Sequence, residues 1–225
     1  NERFYFVVNL PDFELQQATG IQKWLGYPEK EFSLKKYWDH VVHPGRKQSL
    51  QLIVEEMYAM LCNGTFPLQF MVQRFAVLLP VKHYQGHYLL AKKTASIFQY
   101  DKKNRLVAYL DEFTIIGEYH EEPVGMRIFN ETGERETEKE KEIRTKAIER
   151  FLGMRVFSVN ELQVARKLAY NPGITKPEIA REFDRSVHTI DTYYKRFLKK
   201  ARGFFDSDFP TVQDAAGYLK NEGLL

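Results

Sequence analysis

The stretch that decides the reading is Thr175-Lys176-Pro177-Glu178-Ile179-Ala180-Arg181-Glu182-Phe183-Asp184-Arg185-Ser186-Val187-His188-Thr189-Ile190-Asp191-Thr192-Tyr193-Tyr194-Lys195-Arg196-Phe197-Leu198-Lys199-Lys200-Ala201. Thr175 and Glu178 stand three apart, so the hydroxyl and the carboxylate can satisfy each other's backbone amides at a helix start. Pro177 falls in the first turn, where its missing N–H does no harm. Upstream, Ser158-Val159-Asn160-Glu161 repeats the capping pattern, and Asn171-Pro172-Gly173 is a stop between the two. Helices are therefore expected at about 159–170 and 176–183, then a short turn at Asp184-Arg185-Ser186, then a third helix capped by Ser186 and running to about Arg202.

That third helix divides by face. Ile190, Tyr193, Phe197 and Ala201 recur at steps of three and four, while Asp191, Lys195, Lys199 and Arg202 form another stripe. A helix inserted in a DNA groove needs this split: its back packs on the preceding helix, here Ile179, Ala180 and Phe183, and its front offers hydrogen-bonding side chains. Charge agrees with it. Residues 155–203 hold eleven Lys and Arg against five Asp and Glu, a net of +6, whereas 1–125 and 126–154 are each balanced and 204–225 is net −3. Lysines and arginines neutralise phosphates and release counterions.

Residues Ser158 to Ala201 resemble the LuxR-type (GerE-like) helix-turn-helix, through Glu161, then Lys176, Glu178, Ile179 and Ala180, then Ser186, Thr189 and Ile190, and finally Lys199-Lys200-Ala201. The resemblance implies that Lys176, Ser186, Thr189 and Lys199 hold phosphates, that Asp191, Thr192 and Lys195 face bases, and that Arg196 belongs to the same DNA-binding surface. Two positions depart from the family: Tyr193 stands where histidine is common, and Asp191 where lysine is common. An acid there could accept from cytosine N4 or restrain nonspecific binding. A fourth helix pairs two subunits in the family. Here Val212, Ala215, Ala216 and Leu219 supply an apolar stripe that either meets a second copy in a homodimer or closes the core.

Working towards the N-terminus, Thr137 to Leu152 is a charged, helix-friendly segment. It carries Glu140/Arg144 and Glu142/Lys146 at i,i+4 and Ile143, Ala147 and Phe151 on one stripe. Such a connecting helix either relays strain between domains or is a solvated spacer. Residues 120–136 are polar, with Pro123 and Gly133, and mark the boundary. The division expected is thus 1–122, a linker and connecting helix over 123–154, and 155–225.

In the first part, Phe4-Tyr5-Phe6-Val7-Val8 and Asp12 to Ala18 read as two strands, and residues 21–63 as short helices. Three runs at about 66–80, 86–100 and 105–117, separated by Tyr84-Gln85-Gly86 and Asp101-Lys102-Lys103-Asn104, read as paired strands. This order, with Trp24-Leu25-Gly26-Tyr27, Trp38 and Val42-His43-Pro44, resembles a PAS sensor domain, though Gly45-Arg46 follow where acids are common. The fold class expected is α+β: a PAS-like antiparallel five-stranded sheet with helices, then an all-α four-helix helix-turn-helix domain.

The resemblance implies a ligand or partner sensed by the first domain, with no cofactor identified. Trp24, Tyr37, Trp38 and Phe70 line a pocket or fill a core. Cys62 lies outside the helix motif that flavin adduct formation requires, and as the one cysteine it forms no internal disulfide. His40, His43, His83 and His87 are haem-ligand candidates in principle but fit structural or surface roles better, and His83 and His87 have metal spacing only on a helix. No apolar run spans a membrane, and Asn1 to Leu10 has no basic leader, so a cytoplasmic location is expected. No phosphate loop or nucleophile-and-base constellation points to an enzyme. Two other classes remain: a module whose basic helix docks an acidic partner, and a phosphorylation-controlled response regulator, against which the three strand runs argue.

Overall fold

The computed structural model describes residues 2–62, 74–103, 105–120, 126–130 and 132–225. The chain divides into two compact units, Asn1–Ile143 and Arg144–Leu225. Among the described residues no helix is long and apolar enough to cross a membrane.

The first unit is built on strands β1 (Arg3–Asn9), β2 (Glu14–Thr19), β3 (Arg74–Lys82), β4 (Tyr88–Tyr100), β5 (Leu106–Glu118) and β6 (Met126–Phe129). They form one six-stranded sheet in the order β2-β1-β5-β4-β3-β6, and every pairing is antiparallel. Five strands were expected. The sixth comes from the stretch read as boundary, because Met126 and Ile128 alternate inward to full burial although the residues around them are polar. The early part of the first of the three expected runs, 66–73 with Phe70, lies outside the described residues, as do Asn104 of one turn and residues 121–125 of the boundary.

Both turns form as their residues dictate. Between β3 and β4, Gly86 takes a φ of 101°, which a side chain would resist. Between β4 and β5, Asp101 Oδ1 accepts from the Lys103 and Arg105 amides at 2.8 and 2.9 Å. Helices α1 (Ile21–Leu25), α2 (Leu34–Lys36, running on through a wide turn to Val41) and α3 (Pro44–Cys62) cross between β2 and β3. Ile21, Leu25, Tyr37, Val41, Leu50 and Met57 from these helices join one core with the sheet's inward residues. Phe4 and Phe113 stack face to face there at 4.5 Å, with Phe6 beside them.

Helix α4 (Thr137–Gly153) contains the division between the units. Within the first unit, Glu140 turns back to accept from the Ile128 amide at 2.9 Å and from the Arg135 guanidinium, rather than reaching forward to Arg144 as the i,i+4 spacing had suggested. Ile143, Ala147 and Phe151 are all buried, as the stripe required.

The second unit continues with α5 (Val159–Tyr170), α6 (Lys176–Glu182), α7 (Val187–Phe205) and α8 (Val212–Asn221). Three of these begin on an acid returning to the cap. Glu161 accepts from the Ser158 amide at 2.7 Å, Glu178 from the Thr175 amide at 2.8 Å, and Asp214 from the Thr211 amide at 2.9 Å. Aromatic side chains fill the interior, with Phe157 on Phe197 at 5.1 Å and Phe205 on Tyr218 at 4.9 Å.

Candidate nucleic-acid interface

Helices α6 and α7 are joined by a turn in which Asp184 adopts a left-handed backbone, φ 49°, a conformation aspartate tolerates better than most side chains. Ser186 then caps α7: its hydroxyl accepts from the Thr189 amide at 3.1 Å and lies 2.9 Å from the Thr189 hydroxyl. The buried face of α7 is Ile190, Tyr194, Phe197, Ala201 and Phe205. It includes Tyr194 and not Tyr193, although steps of three and of four from Ile190 both stay near one side of the cylinder. Tyr193 is half-buried and its hydroxyl accepts from Asn160 at 3.2 Å. The helix also passes the expected end by three residues, because Phe205 finds a pocket among Phe151, Phe209 and Tyr218.

Opposite that face lie the residues expected to meet DNA. Lys195, Arg196 and Lys199 are exposed, and Thr192 is half-buried with its hydroxyl donating to the His188 carbonyl at 3.0 Å. Lys176, at the start of α6, and Lys195 both reach Asp191, at 2.5 and 2.9 Å, and Lys176 also lies over the Tyr194 ring at 5.2 Å. Hydrogen bonds from Lys176 and then Lys195 hold the Asp191 carboxyl at about 2, below the usual carboxylate range. The structure therefore gathers Lys176, Ser186, Thr189, Asp191, Thr192, Lys195, Arg196 and Lys199 on α6, α7 and the turn between them.

Two basic residues named with this stretch have other duties. Lys200 donates to the buried Glu161 at 2.7 Å, and Arg202 to the Phe209 carbonyl at 2.9 Å. Burial raises the Glu161 pKa, but Lys200 and the Ser158 amide outweigh it and hold the carboxyl below its ordinary value. Arg185 and His188, not named from the sequence, are also exposed at the head of α7, on either side of the Ser186 cap.

Of the stripe on α8, Ala215, Ala216 and Leu219 are fully buried within the single chain and Val212 is half-buried. Gln213 and Lys220 fasten the helix to the end of α5, through the Leu168 and Ala169 carbonyls at 2.8 and 3.1 Å.

The first unit holds a second constellation, on the inner face of the sheet. Lys93 of β4 and Asp111 of β5 pair at 2.7 Å with side chains 3% and 1% exposed. The Tyr37 hydroxyl and Asp111 Oδ1 are buried nearby without a hydrogen-bond partner, and the Tyr58 ring lies 4.9 Å from that of Tyr109. Burial raises the Asp111 pKa, with Lys93 opposing, and burial likewise pushes the Tyr37, Tyr58 and Tyr109 hydroxyls above their ordinary value. A small cavity among Met57, Tyr58, Phe75, Ile97, Leu106 and Tyr109 adjoins them. Trp24 and Trp38 pack on the core from its edge. The His83 and His87 rings stack at 4.5 Å across the β3–β4 turn, and His43 lies beside Tyr88. Among the described residues no three His, Cys, Asp or Glu side chains come together to hold a metal ion.

No family profile matches the chain, and no curated protein does. Solved structures do. The N-terminal domain of a diguanylate cyclase with PAS/PAC sensor from Marinobacter aquaeolei is 16% identical over 51% of this chain and 95% of that one, with a TM-score of 0.40. The VqmA dimer of Vibrio cholerae, described with LuxR-type receptors, is 12% identical over 98% of this chain and 83% of that one, with a TM-score of 0.35. A phage VqmA–DPO complex is 13% identical over 100% of this chain and 85% of that one, also with a TM-score of 0.35. A likeness this loose carries no function from those proteins to this chain.

Proposed function

We propose that the chain is a sensory transcriptional regulator: a LuxR-type helix-turn-helix, α6 and α7 with their flanking helices, binds double-stranded DNA as a homodimer under control of a PAS-like sensor. The observation that carries this reading is the division of α7. Ile190, Tyr194, Phe197, Ala201 and Phe205 are hidden, while Lys195, Arg196 and Lys199 stand exposed on the other side, behind the Ser186 and Thr189 hydroxyls. In this reading Lys176, Ser186, Thr189 and Lys199 hold phosphates, and Thr192 and Lys195 reach base edges. A second copy pairing through α8 would meet Val212 and its exposed neighbours, since the other three stripe residues are already covered.

The sensing role is supported by Tyr37 and Asp111, whose unpartnered oxygens would be satisfied by a small polar ligand on the inner face of the sheet. No catalytic role is proposed for any residue. Binding of the full chain to duplex DNA at several salt concentrations tests the reading. Affinity should fall steeply with salt, Lys195→Ala should weaken binding, and Lys199→Ala should weaken it and reduce the logarithmic salt slope by about one. A flat response to salt refutes DNA binding, and retention on an acidic peptide with none on duplex would favour the acidic-partner reading.

A further inference from the structure

The exposed face of α7 carries one acid among its cations, and that acid is fully engaged. Asp191 Oδ1 takes the Lys176 ammonium at 2.5 Å and Oδ2 takes Lys195 at 2.9 Å. Among the described residues, Arg196 and Lys199 have no carboxylate partner. The three groups together present one net positive charge where two lysines alone would present two. The pairing with Lys195 adds little to stability, since that ammonium is 80% exposed. Helices α6 and α7 are already joined by Ile179, Ala180, Ile190 and Tyr194, all buried.

On a duplex the arrangement becomes a condition. A chain that touches only the sugar-phosphate backbone must either leave both lysines on Asp191, forfeiting two phosphate contacts, or strip them away and bring a bare carboxylate up to phosphates. A cytosine in the major groove changes this, because its N4 amino group donates to a carboxylate and frees the lysines for phosphate or for guanine O6 and N7. Resting on the DNA-binding reading, we infer that Asp191 is a selectivity gate: it withholds Lys176 and Lys195 from nonspecific DNA and releases them where a cytosine amino group takes their place.

The test uses the full chain as wild type, Asp191→Asn and Asp191→Ala. Each is allowed to select from a random-sequence duplex library, and each is titrated with an enriched duplex and with one containing only A·T pairs. The wild type should enrich a cytosine at one position. Both variants should bind the A·T duplex about tenfold more tightly at low salt, roughly threefold for each freed lysine, with a salt slope steeper by about one to two. Asp191→Asn should move the preferred base from cytosine to adenine, which a carboxamide reads through N6 and N7. Asp191→Ala should lose the preference. If the wild type binds duplex but both variants keep its A·T affinity, salt slope and base preference, the gate is wrong and the DNA reading stands. If the wild type binds neither duplex, the DNA reading fails and the gate fails with it.

Discussion

Replacing Lys93 with methionine keeps much of the side chain's length and removes its charge, which strands Asp111 on the inner face of the sheet. At the 2.7 Å separation of the pair, the Coulomb attraction is on the order of 6 kcal/mol for an effective dielectric of about 20. Dehydrating both groups offsets most of that. What the single change exposes is an uncompensated anion, at a cost of about 3–5 kcal/mol. Burial already raises the Asp111 pKa, and without Lys93 it rises further. A carboxyl whose folded pKa lies above its unfolded one binds more protons in the native state, so stability is lost as pH rises from the unfolded value towards the folded one. Lys93→Met is therefore expected to melt at steadily lower temperature as pH rises above the ordinary carboxylate range, with a steeper fall than the wild type. Removing both charges, as Lys93→Met with Asp111→Leu, should recover most of the loss. Tryptophan fluorescence reports this unit selectively, because Trp24 and Trp38, the two tryptophans of the chain, both lie in Asn1–Ile143. A single variant that costs less than about 1 kcal/mol, or a double variant no more stable than the single, refutes the reasoning.

Three other outcomes follow from side chains in both units. Glu161→Gln removes the acid that binds the Ser158 amide and Lys200; it should destabilise the second unit by about 1–3 kcal/mol above pH 5, measured by hydrogen exchange. Because the Glu161 pKa is depressed, that stabilisation should fade on acidification from the unfolded value down through the folded one, and the variant should lack this component of the acid loss. Leu219→Ala opens a cavity where the side chain is fully covered within one subunit; it should cost about 2–5 kcal/mol in chemical denaturation, with sedimentation showing whether subunit pairing changes as well. Tyr37→Phe deletes a buried hydroxyl that has no partner, so the ligand-free chain should be as stable as the wild type or up to about 1–3 kcal/mol more so in thermal melting.

The helical half was more legible than the sheet. Capping at Ser158, Thr175 and Ser186 depends on residues three apart, so the helix starts could be read within two residues of where they lie. The buried row of α7 was misread by one position, at Tyr193 against Tyr194. Adjacent tyrosines look alike to a periodicity argument, and the choice is made by the tertiary partner. Strand β6 was hidden in polar text because only Met126 and Ile128 of its four residues face inward. The ion pair of Lys93 and Asp111 gave no local warning either: the two residues sit in separate strands and meet only through the β4–β5 register, with Lys93 opposite Phe113 and Asp111 opposite Ala95. Asp191 was recognised as unusual, but its hold on Lys176, fifteen residues earlier, required the turn between the helices to be built.

The β1–β5 ladder has a kinetic consequence. Tyr5 pairs with Glu112 and Val8 with Tyr109, so one edge of β1 must wait for a partner about a hundred residues away, and closing such a loop costs entropy before any contact repays it. The capped helices beyond Ser158 depend mainly on neighbours in sequence. During synthesis β1 can close a hairpin with β2 at once, but its other edge stays unpaired until β5 has left the ribosome, and an apolar strand with one open edge is exposed to aggregation over that interval.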